Sequence, residues 1–510
     1  MTSQRIGIID IGSNSVRLVV YERTANGAHR VVDGSKRSAR LSGQIDEGGA
    51  LREEAVGDLI DTLLLFARIC SHHGTGSIRA VATAAIRNAS NRDAILGRIQ
   101  AETGLTIELL SGEEEAAYGF LGMINSLNVR DGYLIDIGGG STELSLFRDR
   151  KLIHSVSFPF GCVNLDGKYG GKQGMDDAQL KALEAEVSEA VMAVPWVRET
   201  PGLPLVGLGG TVRALGKLHQ ETHHYPFTQT HNYEMDSGSV DDLFQSLRLL
   251  PLDKRRKLPR LSKDRADVIV PGIAILRTVF RAVEAQRYLI CGAGLRDGLF
   301  HAARYPSRPQ LDDPLAYSLQ NISSLHTEAP RQHVLQVNRL ALELFDALAA
   351  SSGLGTPERQ LLDSASRLYR IGASIDYYDY AKHSFYLIVH SHINGLSHRD
   401  IILVAAVASY RSKGKAKSQT APYKPLIGEE DLGLIGKLGT LLQLAAALDR
   451  SETQAIGRLT VRVADSELLL RPLNPRGSLS VERREVGDLA PDFKKQWGLL
   501  PVLDCYAASR

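Results

Sequence analysis

Apolar and polar residues alternate in short runs over the first 300 residues and recur at helical spacing beyond them. Ile6–Ile9 and Val16–Tyr21 read as strands on either side of a small polar turn, and Ser77–Thr83 as another. Arg92–Thr103 reads as a helix, with Gly104 where a C-cap glycine belongs. Leu105–Leu110 is strand-like again. From Tyr133 the pattern restarts, with Tyr133–Ile137, a glycine turn, then Glu143–Phe147. Such alternation predicts an α/β architecture. Tyr305–Pro314 (YPSRPQLDDP) is polar and proline-rich, and reads as a boundary. Beyond it Val334, Val337, Ala341, Leu344 and Leu348 recur three or four apart, one apolar helix face. Helices are expected over 361–371, 398–410 and 432–448 as well. After Asp449, Leu459–Val463 and Leu468–Leu470 return to strand, which predicts a small α/β tail.

The restart at Tyr133 is an internal repeat. Ile9–Ser15 (IDIGSNS) matches Ile135–Ser141 (IDIGGGS), with Asp10 and Asp136 in register and a strand after each. Two related halves facing each other would place the two turns across one cleft. The expected organisation is therefore two α/β domains, 1–125 and 126–305, a helical domain, 315–455, and a terminal module, 456–510.

With 510 residues, 43% hydrophobic and 23% charged, the chain has globular proportions and is long enough for several domains. Sixty Lys and Arg against fifty-eight Asp and Glu argue against a constitutive nucleic-acid coat protein but leave room for local basic patches. Cys70, Cys162, Cys291 and Cys505 lie far apart with no CxxC spacing, so neither a disulfide framework nor a zinc site is expected. No secretory leader and no membrane span is read from the sequence, and a cytoplasmic location is expected.

A strand that ends in an acid and runs into a turn of small residues lets backbone N–H groups approach an anion closely. The acid can hold a divalent cation beside phosphate oxygens. One such turn also occurs in ordinary hairpins; two in register indicate a duplicated fold that clamps a phosphate chain. A third turn, Val206–Thr211 (VGLGGT), precedes a helix and suits either a phosphate or a plain strand-to-helix junction. It is neither a Walker A loop nor a dinucleotide fingerprint. In Ser111–Glu115 (SGEEE), Ser111 and Glu114 have capping-box spacing, and Glu113 sits where the helix dipole favours acids. The cap leaves Glu115 unexplained, as a catalytic or a solvated acid. Arg87, between a strand and a helix, is either a phosphate fork or a surface arginine.

Taken together, IGIIDIGSNSVRLVV, AVATAAIRNASN, LLSGEEEAAYGFLG, LIDIGGGSTELSLF, FPFGCVNL, GLGGTVRAL, DRADVIVPG and GLRDGLF resemble, in order, the exopolyphosphatase/guanosine pentaphosphate phosphohydrolase (Ppx/GppA) family. The later segments KHSFYLIVHS, INGLSHRD and LLQLAAALDRS resemble that family's C-terminal HD-related domain. The resemblance implies two ribonuclease-H-like domains of the actin-like ATPase superfamily, an all-helical HD-related domain and an α/β tail. It implies Mg²⁺-dependent hydrolysis of a terminal phosphoanhydride in inorganic polyphosphate or pppGpp. By the same resemblance Glu115 is the catalytic base, Asp136 and Arg87 complete the catalytic set, and Asp10, Asp136 and Glu143 hold metal. Phosphate is expected at Gly12, Ser13, Asn14, Ser15 and Arg17, at Gly138, Gly139, Gly140, Ser141 and Thr142, and at Gly209, Gly210 and Thr211. A homodimer is expected by family analogy.

Two departures stand out. Asp297 occupies a position where the family usually has Glu. Leu368-Tyr369-Arg370 stands where a metal-binding HD domain would carry its His-Asp pair, so a second metal centre is not expected there, despite His383, His390, His392 and His398. Lys254–Arg265 and Arg411–Lys417 are basic runs that could guide a polyanion or be solvated loops. Exopolyphosphatase is the leading reading, and pppGpp 5′-phosphohydrolase the second. A non-hydrolysing polyphosphate- or alarmone-binding regulator and a kinase of the same superfamily complete the set.

Overall fold

The computed structural model describes residues 4–170 and 173–504. The chain forms two compact units, Met1–Pro314 and Leu315–Arg510, so the division falls where the proline-rich segment ends. That segment is fastened to the first unit: the Asn125 side chain donates to the Pro309 carbonyl and accepts from Leu311 N, both at 2.8 Å.

The first unit is built on two mixed sheets. One has the order β3-β2-β1-β4-β5, from β1 (Gln4–Ile11), β2 (Ser15–Arg23), β3 (His29–Ser38), β4 (Ser77–Ala82) and β5 (Ile107–Leu109). The other runs β8-β7-β6-β9-β11-β10, from β6 (Gly132–Ile137), β7 (Thr142–Arg148), β8 (Lys151–Phe158), β9 (Leu205–Leu208), β10 (Tyr233–Met235) and β11 (Tyr288–Ile290). Apart from β10, order and direction are the same. Three antiparallel strands are followed by two parallel ones. The duplication expected from the two D-I-G turns thus extends to the whole sheet. Strands β3 and β8 gave no sequence signal because they are edges, largely solvated and lacking apolar alternation.

Alternation along β1 decides which face each residue serves. Ile9 and Ile11 pack beneath helix α1 (Glu53–His72), with Leu59, Leu63 and Phe66. Ile8 takes the opposite face, where it meets Leu299 and Phe300 of helix α6 (Leu295–Arg304). Leu134 of β6 likewise faces Phe120, Met123 and Ile124 of helix α3 (Gly112–Ile124). Asp10 shares the parity of Ile8, and Asp136 that of Leu134, so both carboxylates emerge toward α6 and α3. Between these two in chain order lie α4 (Gly209–Thr222) and α5 (Ile269–Ala282). Helix α2 (Arg92–Thr103) has the expected bounds, and Gly104 closes it at φ +71°.

Helix α6 returns to pack on α3 at backbone distance. A Cβ at Gly298 would stand well inside contact distance of the Tyr118 carbonyl, and one at Gly122 would collide with the Gly294 carbonyl. Only glycine allows that approach.

In the second unit, α7 (Arg331–Ser352), α8 (Thr356–Leu368), α9 (His398–Ala408), α10 (Lys413–Thr420) and α11 (Glu429–Ala447) form a helical body. The sheet β12-β13-β14 (Arg458–Ala464, Glu467–Leu473, Leu500–Leu503) and α12 (Ser480–Trp497) complete it. Tyr369 is buried, and its hydroxyl lies 2.6 Å from His333 Nε2; His333 Nδ1 lies 2.8 Å from the fully buried Asp449. Arg370 pairs with Glu452. Among the described residues no three His, Cys, Asp or Glu form a group able to hold a metal, and no helix is long and apolar enough to cross a membrane. Cys70, Cys162 and Cys291 are buried free thiols; Cys505 lies outside the described residues.

Candidate active site

The two D-I-G turns close identically: Gly12 N donates to the Ser15 carbonyl at 3.2 Å, and Gly138 N to the Ser141 carbonyl at 2.9 Å. They abut each other. A Cβ on Gly139 would lie 3.1 Å from Ser13 Cβ and 3.2 Å from Asn14 N. The third turn approaches as closely: Gly209 adopts φ +85°, and a Cβ there would stand 2.6 Å from Asp136 Oδ1.

Register assigns the two halves different chemistry. In the β1–β2 pair Asp10 faces Arg17; at the equivalent place in β6–β7, Asp136 faces Glu143. Cross-strand neighbours share a face, so one half presents opposite charges and the other two like charges.

The capping box of α3 forms as expected. Ser111 Oγ accepts from Glu114 N at 3.1 Å, and Glu114 Oε2 accepts from Ser111 N at 2.8 Å. Glu113 and Glu114 are exposed, whereas Glu115 turns inward. Arg87 Nη1 donates to the Leu110 carbonyl at 2.6 Å and to Glu115 Oε2 at 3.3 Å.

A cleft of about 130 Å³ collects these groups. Asp10, Glu115, Asp136 and Glu143 line it with Gly12, Ser13, Asn14, Ser15, Arg17, Gly138, Gly139, Ser141, Gly209 and Gly210. Four predicted residues stand off its wall. Arg87 lies behind Glu115. Gly140 packs against Ser13 and Ser42, Thr142 is buried with its hydroxyl on the Phe160 carbonyl, and Thr211 is buried against Gly272.

Three arginines of the wall were not singled out from the sequence: Arg213, Arg265 and Arg296. Each sits inside a motif already noted (GLGGTVRAL, DRADVIVPG, GLRDGLF), but an arginine two positions past a turn has no periodic signature. Arg213 donates to the Gly292 carbonyl at 3.1 Å. Arg265 and Arg296 make no hydrogen bond among the described residues. Arg265 is buried and Arg296 partly so, and a guanidinium left without a hydrogen-bond acceptor is free to fork to an external anion. The basic run 254–265 therefore divides: Arg255 and Arg265 turn inward, while Lys254, Arg256, Lys257 and Lys263 are exposed. The Arg411–Lys417 cations are exposed too.

Burial dominates the carboxylates. It raises Asp10 against the pull of Arg296 and Arg17, and raises Asp136 to about 6 against Arg213. Glu143 is pushed up to about 7 by burial and by Asp136, although Ser157 Oγ donates to it at 2.8 Å. Glu115 is held well above the usual range by burial, then by Glu143 and Asp136, with Arg87 opposing. Burial and the neighbouring arginines bring Arg17 down to about 10.

A stability prediction follows from these signs. A carboxyl raised on folding contributes stability that is complete below its ordinary 4.5 and is lost as pH rises through about 7. Glu143→Gln is therefore expected to unfold at a higher temperature than the wild type at pH 8 in chelator, and to lose that advantage at pH 5. Thermal midpoints at the two pH values check it; equal differences at both would contradict it.

Fold and cleft together define a duplicated α/β protein that concentrates acids and arginines around one cleft. Comparison with known proteins narrows the class. Residues 19–303 match the Ppx/GppA phosphatase family, and residues 319–471 match Ppx/GppA phosphatase, domain III. A guanosine-5′-triphosphate,3′-diphosphate pyrophosphatase from Vibrio vulnificus is 30% identical over 423 residues, 80% of each chain. The Aquifex aeolicus Ppx/GppA family member, a solved structure, is 27% identical with a TM-score of 0.53, covering 60% of this chain and 99% of its own. An exopolyphosphatase structure from Cytophaga hutchinsonii shares the fold at 23% identity and TM-score 0.55, over 60% of this chain and all of its own. The chain belongs to the Ppx/GppA phosphatase family and is a hydrolase.

Proposed function

We propose that the protein is an exopolyphosphatase, releasing terminal orthophosphate from inorganic polyphosphate by in-line attack of a water activated by Glu115. The observation that carries this reading is the cleft wall, where Arg265 and Arg296, without a hydrogen bond among the described residues, stand with Asp10, Glu115, Asp136 and Glu143. A terminal phosphoanhydride supplies the missing oxyanions and an electrophile together.

The buried Glu143 faces the partly exposed Asp136 across β6–β7, and this pair, with Asp10 on the same cleft wall, would hold Mg²⁺ through bridging water and substrate oxygens rather than as a close three-acid group. Mg²⁺ commonly takes one or two carboxylates and fills its shell with water and substrate oxygens, so a three-acid cage is not required. When bound it would neutralise charge on the phosphoryl oxygens. The protein's own part is positional and acid–base. The turns at 12–15 and 138–141 present N–H groups and hydroxyls to the phosphate chain, and Arg17 adds a fork. Glu115 takes the proton of the attacking water, and Arg87 keeps its carboxylate oriented and favours its ionised form. No covalent intermediate is needed.

A second reading, pppGpp 5′-phosphohydrolase, is favoured by the name of the relative from Vibrio vulnificus. Phosphate release from long-chain polyphosphate and from pppGpp, measured side by side with Mg²⁺, separates the two. We expect release from polyphosphate; release from pppGpp alone would move the protein to the alarmone branch, and silence on both would favour a binding regulator. If the exposed cations of 254–263 and 411–417 guide the chain, KM for long polyphosphate should rise steeply with salt while KM for a short chain changes less. We read the second unit as HD-related, with Tyr369 and Arg370 in place of a metal-binding pair and no second catalytic centre.

A further inference from the structure

Arg296 stands one residue inside α6, with Nε 3.8 Å from Asp10 Oδ2 and no hydrogen bond to any described residue. An arginine serving only to neutralise Asp10 would close on the carboxylate. This one is held back from it, with its charge felt by Arg17 and Arg213 as well.

Its neighbour fixes the turn on which it stands. Asp297 Oδ2 accepts from Gly294 N at 2.9 Å, which fixes the first turn of α6. Its other oxygen accepts from the Tyr21 hydroxyl at 3.2 Å. Tyr21 comes from β2, on the sheet face that carries Arg17 and Asp10, and its ring stacks on Phe300 at 4.2 Å. Burial and the adjacent Asp297 keep the phenol protonated, so it remains a donor. The glycine contacts of α6 with α3 then tie Arg296 to the helix that carries Glu115.

We infer that Arg296 binds the phosphate chain directly, and that Tyr21 and Asp297 are positioning residues that hold its guanidinium in the cleft. The inference rests on the phosphoanhydride reading of the site and adds to it a clamp between β2 and α6. A guanidinium fork on two phosphate oxygens matches a chain of fixed spacing better than a lysine point charge does.

The test uses the full chain and bis-methylene tripolyphosphate, whose P–C–P links resist hydrolysis, with affinity read by calorimetry. Arg296→Gln should weaken binding about tenfold or more, the scale of a charge-assisted hydrogen bond, and Arg296→Lys by an intermediate factor. Tyr21→Phe should weaken it about threefold, and the double variant should bind no worse than Arg296→Gln alone, because the hydroxyl acts through the arginine. In turnover, both single variants should raise KM and leave kcat within about threefold. Melting curves confirm folding of each variant. Wild-type affinity in Arg296→Gln overturns the inference, as does full additivity in the double variant or a loss confined to kcat. If the wild type binds the analogue yet cleaves neither polyphosphate nor pppGpp, the hydrolase reading falls while the affinity series still decides the role of Arg296. No binding by the wild type overturns both.

Discussion

Replacing Glu115 by alanine is expected to lower turnover by about 10²–10⁴, the usual contribution of a general base, with the fold retained. The side chain is half-buried in the cleft wall and bonds Arg87 rather than any core group among the described residues, so its removal opens no core. Its neighbour supplies the contrast. Glu114 closes the helix cap from the exposed side, and Glu114→Ala is expected to cost about 1 kcal/mol in stability with turnover near wild type. Steady-state kinetics and melting curves on the two variants resolve both effects. Near-wild-type turnover in Glu115→Ala would remove it as the base.

The second large effect is expected at Gly298. An alanine methyl there would overlap the Tyr118 carbonyl, a backbone atom that cannot rotate away, so α6 must separate from α3. Overpacking of this kind typically costs 1–3 kcal/mol. The shift also moves Arg296 within the cleft, so kcat/KM should fall through a raised KM along with the melting temperature. Gly97 is the control: it lies inside α2, with nothing within 4 Å of its would-be Cβ. Gly97→Ala is expected to stabilise by about 0.5–1 kcal/mol through helix propensity alone, with unchanged kinetics. If Gly298→Ala melts and turns over like the wild type, the tight α3–α6 contact is not a requirement of the site.

Much of this protein is legible in its linear pattern. Alternation over Ile6–Ile9 and Tyr133–Ile137 is a short-range property, and the repeated I-D-I-G turns mark strand ends by the small residues they require. The capping box of Ser111 and Glu114 is equally local, and by accounting for those two residues it isolates Glu115. Tertiary structure alone decided the rest. Whether Asp10 meets a cation and Asp136 an acid depends on register between paired strands, Arg17 on one and Glu143 on the other. Arg213, Arg265 and Arg296 come from three separate helices or loops and converge only when the two sheets close over α3 and α6. The Thr142 hydroxyl donates to the Phe160 carbonyl, and Arg87 divides its donors between the Leu110 carbonyl and Glu115, contacts that spacing alone does not reveal. Local sequence sets which residues can bend, cap, alternate or pair across a hairpin; which distant charges become neighbours is set by burial and by packing between segments far apart in the chain, as where Arg296 comes beside Asp10.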